Sequence, residues 1–313
     1  MNDNLRGTLE MSVSMVISGT IGWLVVLSGR PVAEVVFWRC VFGAVALLPI
    51  CLALGQLQRV SMTWRQFGLV LLVGLALVAN WLLLFASYSR TSISIATAVY
   101  NTQPFMLVGM GALLLRERLT PIRVGCLLLS FSGVLLIVQG RPLSQDGGDY
   151  LVGVLMALAA ALLYAVAAFI TKQLKGVSPH LIALSQTLIG AVLLMPMAPD
   201  PGTVSPTAWP VLVAIGVVNT GIMYLLLYSA IQRLPTYLTG GLSFIYPAVA
   251  FIVDAWAFGH RMQWLQVLGA MAIFTGAAAM MAGERLRWPS WRRSDRRHEA
   301  GPVGTGQCPV NKN

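Results

Sequence analysis

Long apolar stretches separated by short polar turns recur along this chain, at residues 8–28, 33–54, 66–88, 92–115, 120–139, 150–171, 180–198, 208–231, 237–258 and 264–283. Each is long enough to cross a bilayer as a helix, the conformation that satisfies its own backbone hydrogen bonds in lipid. The connections carry turn chemistry, as in Ser28-Gly29-Arg30-Pro31 and Arg233-Leu234-Pro235. The longest polar connection, Gly140 to Asp149, separates five stretches from five. The pattern predicts an all-α membrane protein with ten transmembrane helices.

The two halves repeat. Residues 82–133 lie on residues 225–276 without a gap, which sets Leu82-Leu83-Leu84 on Leu225-Leu226-Leu227, Arg90 on Arg233, Pro104 on Pro247 and Arg118 on Arg261. Identity in that window is low, but the matches fall at equivalent points of apolar segments. Five crossings per half put the second copy upside down relative to the first, an arrangement that places a transporter's substrate site at the bilayer midplane. The expected domains are therefore two inverted five-helix repeats, 8–139 and 150–283, and a tail, 284–313.

Composition agrees with the membrane reading: 57% of residues are hydrophobic and 10% charged, against about 25% charged in soluble proteins. The net charge of +10 comes mainly from short loops and the tail, with six arginines between Arg285 and Arg297. That distribution suits orientation signals and anionic lipid headgroups, not nucleic acid. With the N-terminus cytoplasmic, sixteen Lys and Arg fall inside and four outside (Arg30, Arg90, Arg141 and Arg261). The positive-inside rule then places both termini in the cytoplasm. The tail past Arg285 is basic and then Gly/Pro-rich, and reads as disordered. Cys40, Cys51, Cys126 and Cys308 lack metal-like spacing, and no HExxH, GxSxG or phosphate-loop motif occurs, so neither a catalytic residue nor a metal or cofactor is expected.

Polar groups within the spans carry the functional signal, since each costs free energy unless it meets a partner or a wet cavity. Asn80 and Trp81 lie in the third segment, Tyr100, Asn101 and Gln103 in the fourth just before Pro104, Tyr164 in the sixth, Tyr224 in the eighth, and Ser243 and Tyr246 just before Pro247 in the ninth. These are the expected substrate-binding residues. Thr239, Ser243, Tyr246, Ala250 and Asp254 follow helical spacing, which makes Asp254 the candidate proton or cation site; an Asp reaching outer water is the alternative. Pro104 and Pro247 each deprive a carbonyl of its donor and are the candidate hinges. Arg39, inside the second segment, fits an anionic substrate group, a structural pair with Glu34 or Asp254, or a side chain that snorkels to the interface. Glu10, Ser14 and Ser18 form a stripe near the inner end of the first segment. Trp38, Trp64, Trp209, Trp256 and Trp264 lie near segment ends and read as interface anchors.

Several stretches resemble one family: Glu34-Val-Val-Phe-Trp-Arg39 opening the second segment, Pro104 followed by Leu115-Arg116-Glu117-Arg118-Leu119, and Tyr228-Ser-Ala-Ile-Gln-Arg-Leu-Pro235 followed by Pro247. In this order, over residues 8–283, they are similar to EamA-type members of the drug/metabolite transporter superfamily. The resemblance implies a carrier of the bacterial inner membrane, often an exporter of amino acids, other metabolites or drugs. One departure is Gly259-His260, where the family commonly has Gly-Glu after its ninth segment; whatever that Glu does at the outer end, this chain does otherwise.

The reading is a secondary transporter, an exporter of a small amphipathic metabolite such as an amino acid or amine, alternating access around a cavity walled by segments one, three, four, six, eight and nine. Its expected partners are that solute and the bilayer, with anionic lipid beside the tail. A non-transporting membrane protein, whether a lipid-modifying enzyme or a sensor acting through the tail, is the alternative.

Overall fold

The computed structural model describes residues 3–56, 63–114, 121–140, 147–171, 174, 177–198, 200–234, 242, 243, 245–260 and 262–285. The Leu115–Leu119 motif, Arg141, Thr239, Arg261 and the tail from residue 286 lie outside them. No strand occurs among the described residues. The helices are α1 (Asp3–Gly19), α2 (Ile21–Leu27), α3 (Val32–Ala53), α4 (Trp64–Tyr88), α5 (Ile93–Tyr100), α6 (Gln103–Leu114), α7 (Pro121–Gln139), α8 (Gly147–Thr171), α9 (Pro179–Leu194), α10 (Ala208–Gly216), α11 (Met223–Arg233), α12 (Ile245–Phe258) and α13 (Trp264–Arg285). A π-helical turn, Val217–Ile222, joins α10 to α11.

Local chemistry sets the helix ends. Thr63 and Gln66 form a reciprocal capping box at the start of α4, and the Ser92 hydroxyl accepts from the Ile95 N–H at the start of α5. Gly29 and Gly55, just past the ends of α2 and α3, adopt φ of 59° and 63°. Glycine takes this left-handed conformation with no Cβ penalty.

Six helical stretches are long and apolar enough to cross a membrane: Leu5–Leu27, Val32–Ala53, Trp64–Tyr88, Gly148–Thr171, Pro179–Met197 and Ala208–Ile231. Val124–Gln139, Ile245–Phe258 and Trp264–Gly276 are shorter apolar helices. The outer surface is unlike that of a water-soluble protein. Val45, Leu113 and Val192 are exposed, while Asn80, Thr187, Thr220 and Asp254 are buried within a largely apolar core. An apolar exterior with polar groups kept inside fits a multi-pass membrane protein.

Two predicted segments differ in detail. The first is not one helix: it breaks at Thr20, where the Thr20 hydroxyl and the Asn219 amide both donate to the Ile17 carbonyl. The fourth breaks at Asn101-Thr102. There the Asn101 amide donates to the Thr97 carbonyl (2.7 Å) and the Thr102 hydroxyl to the Val99 carbonyl (2.8 Å). Pro104 has no N–H to offer the Tyr100 carbonyl, so the α-helical ladder cannot run through. Pro104 and Pro247 thus stand second and third in their helices, in the first turn, where a missing N–H costs little.

Packing is close. Gly133 of α7 and Gly269 of α13 face each other so tightly that a Cβ on either would come within 2.6 Å and 2.5 Å, respectively, of the other's carbonyl oxygen. Small residues permit such backbone contact between membrane helices. Helix α4 packs on α8, α3 on α9, and α1 on α11 and α12.

Candidate substrate site

Tyrosines converge at the centre of the bundle. Tyr100, the last residue of α5, meets the ring of Tyr164 from α8 with centroids 6.0 Å apart, and lies within electrostatic reach of Tyr224 and Tyr246. Tyr224 and Tyr228, one turn apart on α11, stack at 5.6 Å with planes 8° apart. His180 of α9 meets Tyr228 edge-on at 5.4 Å. Tyr246 of α12 faces Thr97, and Tyr88 at the end of α4 lies within reach of Tyr246. Six of the chain's eight tyrosines are in this group. Tyr164 keeps 41% of its surface accessible although its ring meets the buried Tyr100, so an accessible space adjoins the cluster.

Asn80 anchors one side. Its Nδ2 donates to the Ala160 carbonyl and to the Tyr100 hydroxyl (3.3 Å), while its Oδ1 is buried and has no partner among the described residues. The Ala160 carbonyl can only accept, which fixes the orientation of the amide. Gln103 Oε1 is likewise buried and has no partner among the described residues. Beside Asn80, the Trp81 ring carries the Arg39 guanidinium 4.3 Å from its centroid. Arg39 is 3% exposed, and its Nε donates to the Thr220 hydroxyl at 3.0 Å. Thr220 belongs to the π turn, and its hydroxyl donates in turn to the Ile215 carbonyl (3.1 Å). A π turn frees backbone groups and recurs at functional sites.

Among the residues expected from sequence, Asn80, Trp81, Tyr100, Tyr164, Tyr224 and Tyr246 lie in or beside this cluster. Asn101 spends its amide on its own helix end, and Ser243 sits in the turn before α12. Of Pro104 only the backbone position is described.

Asp254 lies elsewhere on α12 and is fully buried. One carboxylate oxygen accepts from the Ser94 N–H in the first turn of α5 (2.9 Å), and the other meets His260 Nδ1 (2.9 Å). The positive end of α5 suits an anion there. Neither carboxylate suggested for Arg39 reaches it: Glu34 pairs with Arg30 at 2.6 Å, and Asp254 is held as described.

Tyr88, Tyr228, Thr220, His180 and Arg39 complete the cluster beyond the residues singled out as its binding set. A signal existed for Thr220 and Tyr228, which share a helical stripe with Tyr224. None marked Tyr88, the last residue of α4.

The EamA-like transporter family model matches the chain twice, at residues 6–139 and 151–282. An uncharacterized transporter, YxxF, of Bacillus subtilis is 34% identical over 275 residues, covering 86% of this chain and 88% of that protein. The threonine/homoserine exporter RhtA of Salmonella typhimurium is 27% identical over 264 residues, 80% and 85% of the two chains. A solved crystal structure with 20% identity has the same fold, with a TM-score of 0.63 over 91% of this chain and 98% of the other.

Proposed function

This chain belongs to the EamA-like transporter family, and on that premise we propose that it is a secondary carrier that exports a small metabolite across the bacterial inner membrane by alternating access. Its relatives bear the names of transporters and exporters rather than enzymes. The solute class proposed is an amino acid or amine, accommodated among Asn80, Trp81, Tyr100, Tyr164, Tyr224 and Tyr246.

Ten crossings in two inverted halves underlie the proposal. In support, the family model matches each half, and the helix pairs exchange when the halves are exchanged: α4 on α8 becomes α11 on α1, and α5 on α8 becomes α12 on α1.

The observation that carries alternating access is a pair of matched latches. Arg90, at the end of α4, pairs with Asp149 at the start of α8 at 2.6 Å. Its repeat mate Arg233, at the end of α11, pairs with Asp3 and Glu10 of α1, each at 3.4 Å. A glycine makes the close approach at both places. A Cβ on Gly153 would come within 2.8 Å of Arg90 Cβ, and one on Gly7 within 3.1 Å of Arg233 Cβ. With both termini cytoplasmic, the first latch faces outward and the second inward. Both involve partly exposed groups, where an ion pair is worth about 0–1 kcal/mol, weak enough to open in every cycle.

Asp254 is the proposed proton or cation site, with the half-exposed His260 linking it to water. The test is purified protein in liposomes, loaded with labelled amino acids and amines, with and without a pH gradient. Saturable efflux of at least one solute supports the carrier; efflux equal to that of protein-free vesicles for the whole panel refutes it.

A further inference from the structure

We infer that Arg39 is the anchor for a carboxylate on the transported solute, and that Asn80 Oδ1 is an acceptor for its amino group, so the site takes zwitterionic amino acids and rejects simple amines. The inference rests on the carrier reading for its physiological meaning, though not for its chemistry.

A charged arginine in the interior of a membrane protein is costly, and the usual remedy is a carboxylate or a wet cavity. Arg39 has no carboxylate among the described residues, because Glu34 is held by Arg30 and Asp254 by His260 and Ser94. What it has is a platform. The Trp81 ring lies 4.3 Å below the guanidinium and Phe85 lies 5.5 Å away, while Thr220 takes Nε. Stacking and one hydrogen bond together fix the guanidinium plane.

A guanidinium carries five N–H donors in a planar fork. Only the Nε donor is used, and the two terminal nitrogens meet no acceptor among the described residues. Their geometry matches the two oxygens of a carboxylate, which they bind bidentately. Tyr224 lies within electrostatic reach of Arg39 and belongs to the cluster that includes Tyr100 and Tyr164. The solute's body would therefore pack on phenol rings. Asn80, next to Trp81 in the chain and bonded to the Tyr100 hydroxyl, has an Oδ1 that is buried and meets no donor among the described residues, a ready acceptor for an ammonium. One cationic fork and one neutral acceptor suit a zwitterion. An amine alone would bring a second positive charge towards Arg39.

The test measures binding and flux separately. Purified protein in detergent is melted with L-threonine or L-phenylalanine and with threoninol or phenylalaninol, the same solutes without the carboxylate; the same four compounds are then followed in liposomes. In the wild type at least one acid is expected to raise Tm, with its alcohol weaker by about 10-fold to 100-fold in apparent affinity, the value of a charge-assisted pair. Arg39→Gln is expected to abolish the acid's preference. Arg39→Lys, which keeps the charge without the fork, should weaken the acid by about 10-fold while preserving its preference over the alcohol, and so guards against a misfolded Gln variant. An Arg39-dependent, carboxylate-dependent Tm shift without flux upholds the site and refutes the carrier. Equal response to acids and alcohols, no response to either acid, or an acid preference retained in Arg39→Gln overturns the inference, whatever the flux.

Discussion

At the residue scale, the cost of polar groups in lipid made the centre of this protein legible. Asn80, Tyr100, Tyr164 and Tyr224 stand out in apolar segments, and they are brought together. Tyr246→Ala is expected to reduce transport of the best solute in liposomes at least 10-fold, since the ring closes the cluster against α5; unchanged flux would remove it from the site. Asp254 illustrates what sequence could not resolve. Helical spacing put it on the Tyr246 stripe, but its partners come from the first turn of α5 and from a residue past its own helix. Asp254→Asn keeps the shape and an oxygen for the Ser94 N–H while removing the charge. Transport should then lose its dependence on a pH gradient, and a variant with an unaltered response would exclude Asp254 as the ionisable site. Arg39 was visible as an anomaly, whereas its partner Thr220 is remote in sequence and no local pattern could join them.

At the scale of elements, hydrophobic runs located the spans but not their interruptions. The break at Thr20, the break at Asn101-Thr102 and the π turn at Val217–Ile222 each lie inside a segment that is apolar overall and continues past the interruption. What makes them is side-chain competition for carbonyls, by Thr20, Asn101 and Thr102, and in two cases a bond across helices, Asn219 to Ile17 and Arg39 to Thr220. Prolines gave a partial warning: both open a helix, so any bending would lie ahead of them. The α7–α13 contact yields a stability prediction. A side chain at Gly269 meets the Gly133 backbone, which cannot swing aside, so Gly269→Leu should destabilise the protein by about 1–3 kcal/mol, read as a lower Tm in detergent. Gly125→Ala, on α7 with open space around it, is the control expected to leave Tm unchanged. Equal melting of all three proteins would contradict the packing account.

Over the whole molecule, the proposed device joins the repeat in the sequence to the two arginine ion pairs. Arg90 and Arg233 occupy equivalent places in the two halves, and each meets carboxylates on the first helix of the other half. Asp149 closes the connecting region, Asp3 precedes the first apolar run and Glu10 stands in a stripe of its own, so no local pattern joins the arginines to their partners. Reversing one charge, Arg90→Glu, should bias the cavity outward and slow turnover, and adding Asp149→Arg should restore it; if the double variant is as slow as the single one, the pair is not a latch. The central claim, that one site is exposed alternately to the two sides, is tested most directly by counterflow. Liposomes carrying the protein are preloaded with unlabelled L-threonine and diluted into a trace of labelled L-threonine. An alternating carrier for this solute accumulates label transiently above the external concentration, and only in preloaded vesicles. Label that enters preloaded and empty vesicles alike would contradict the account.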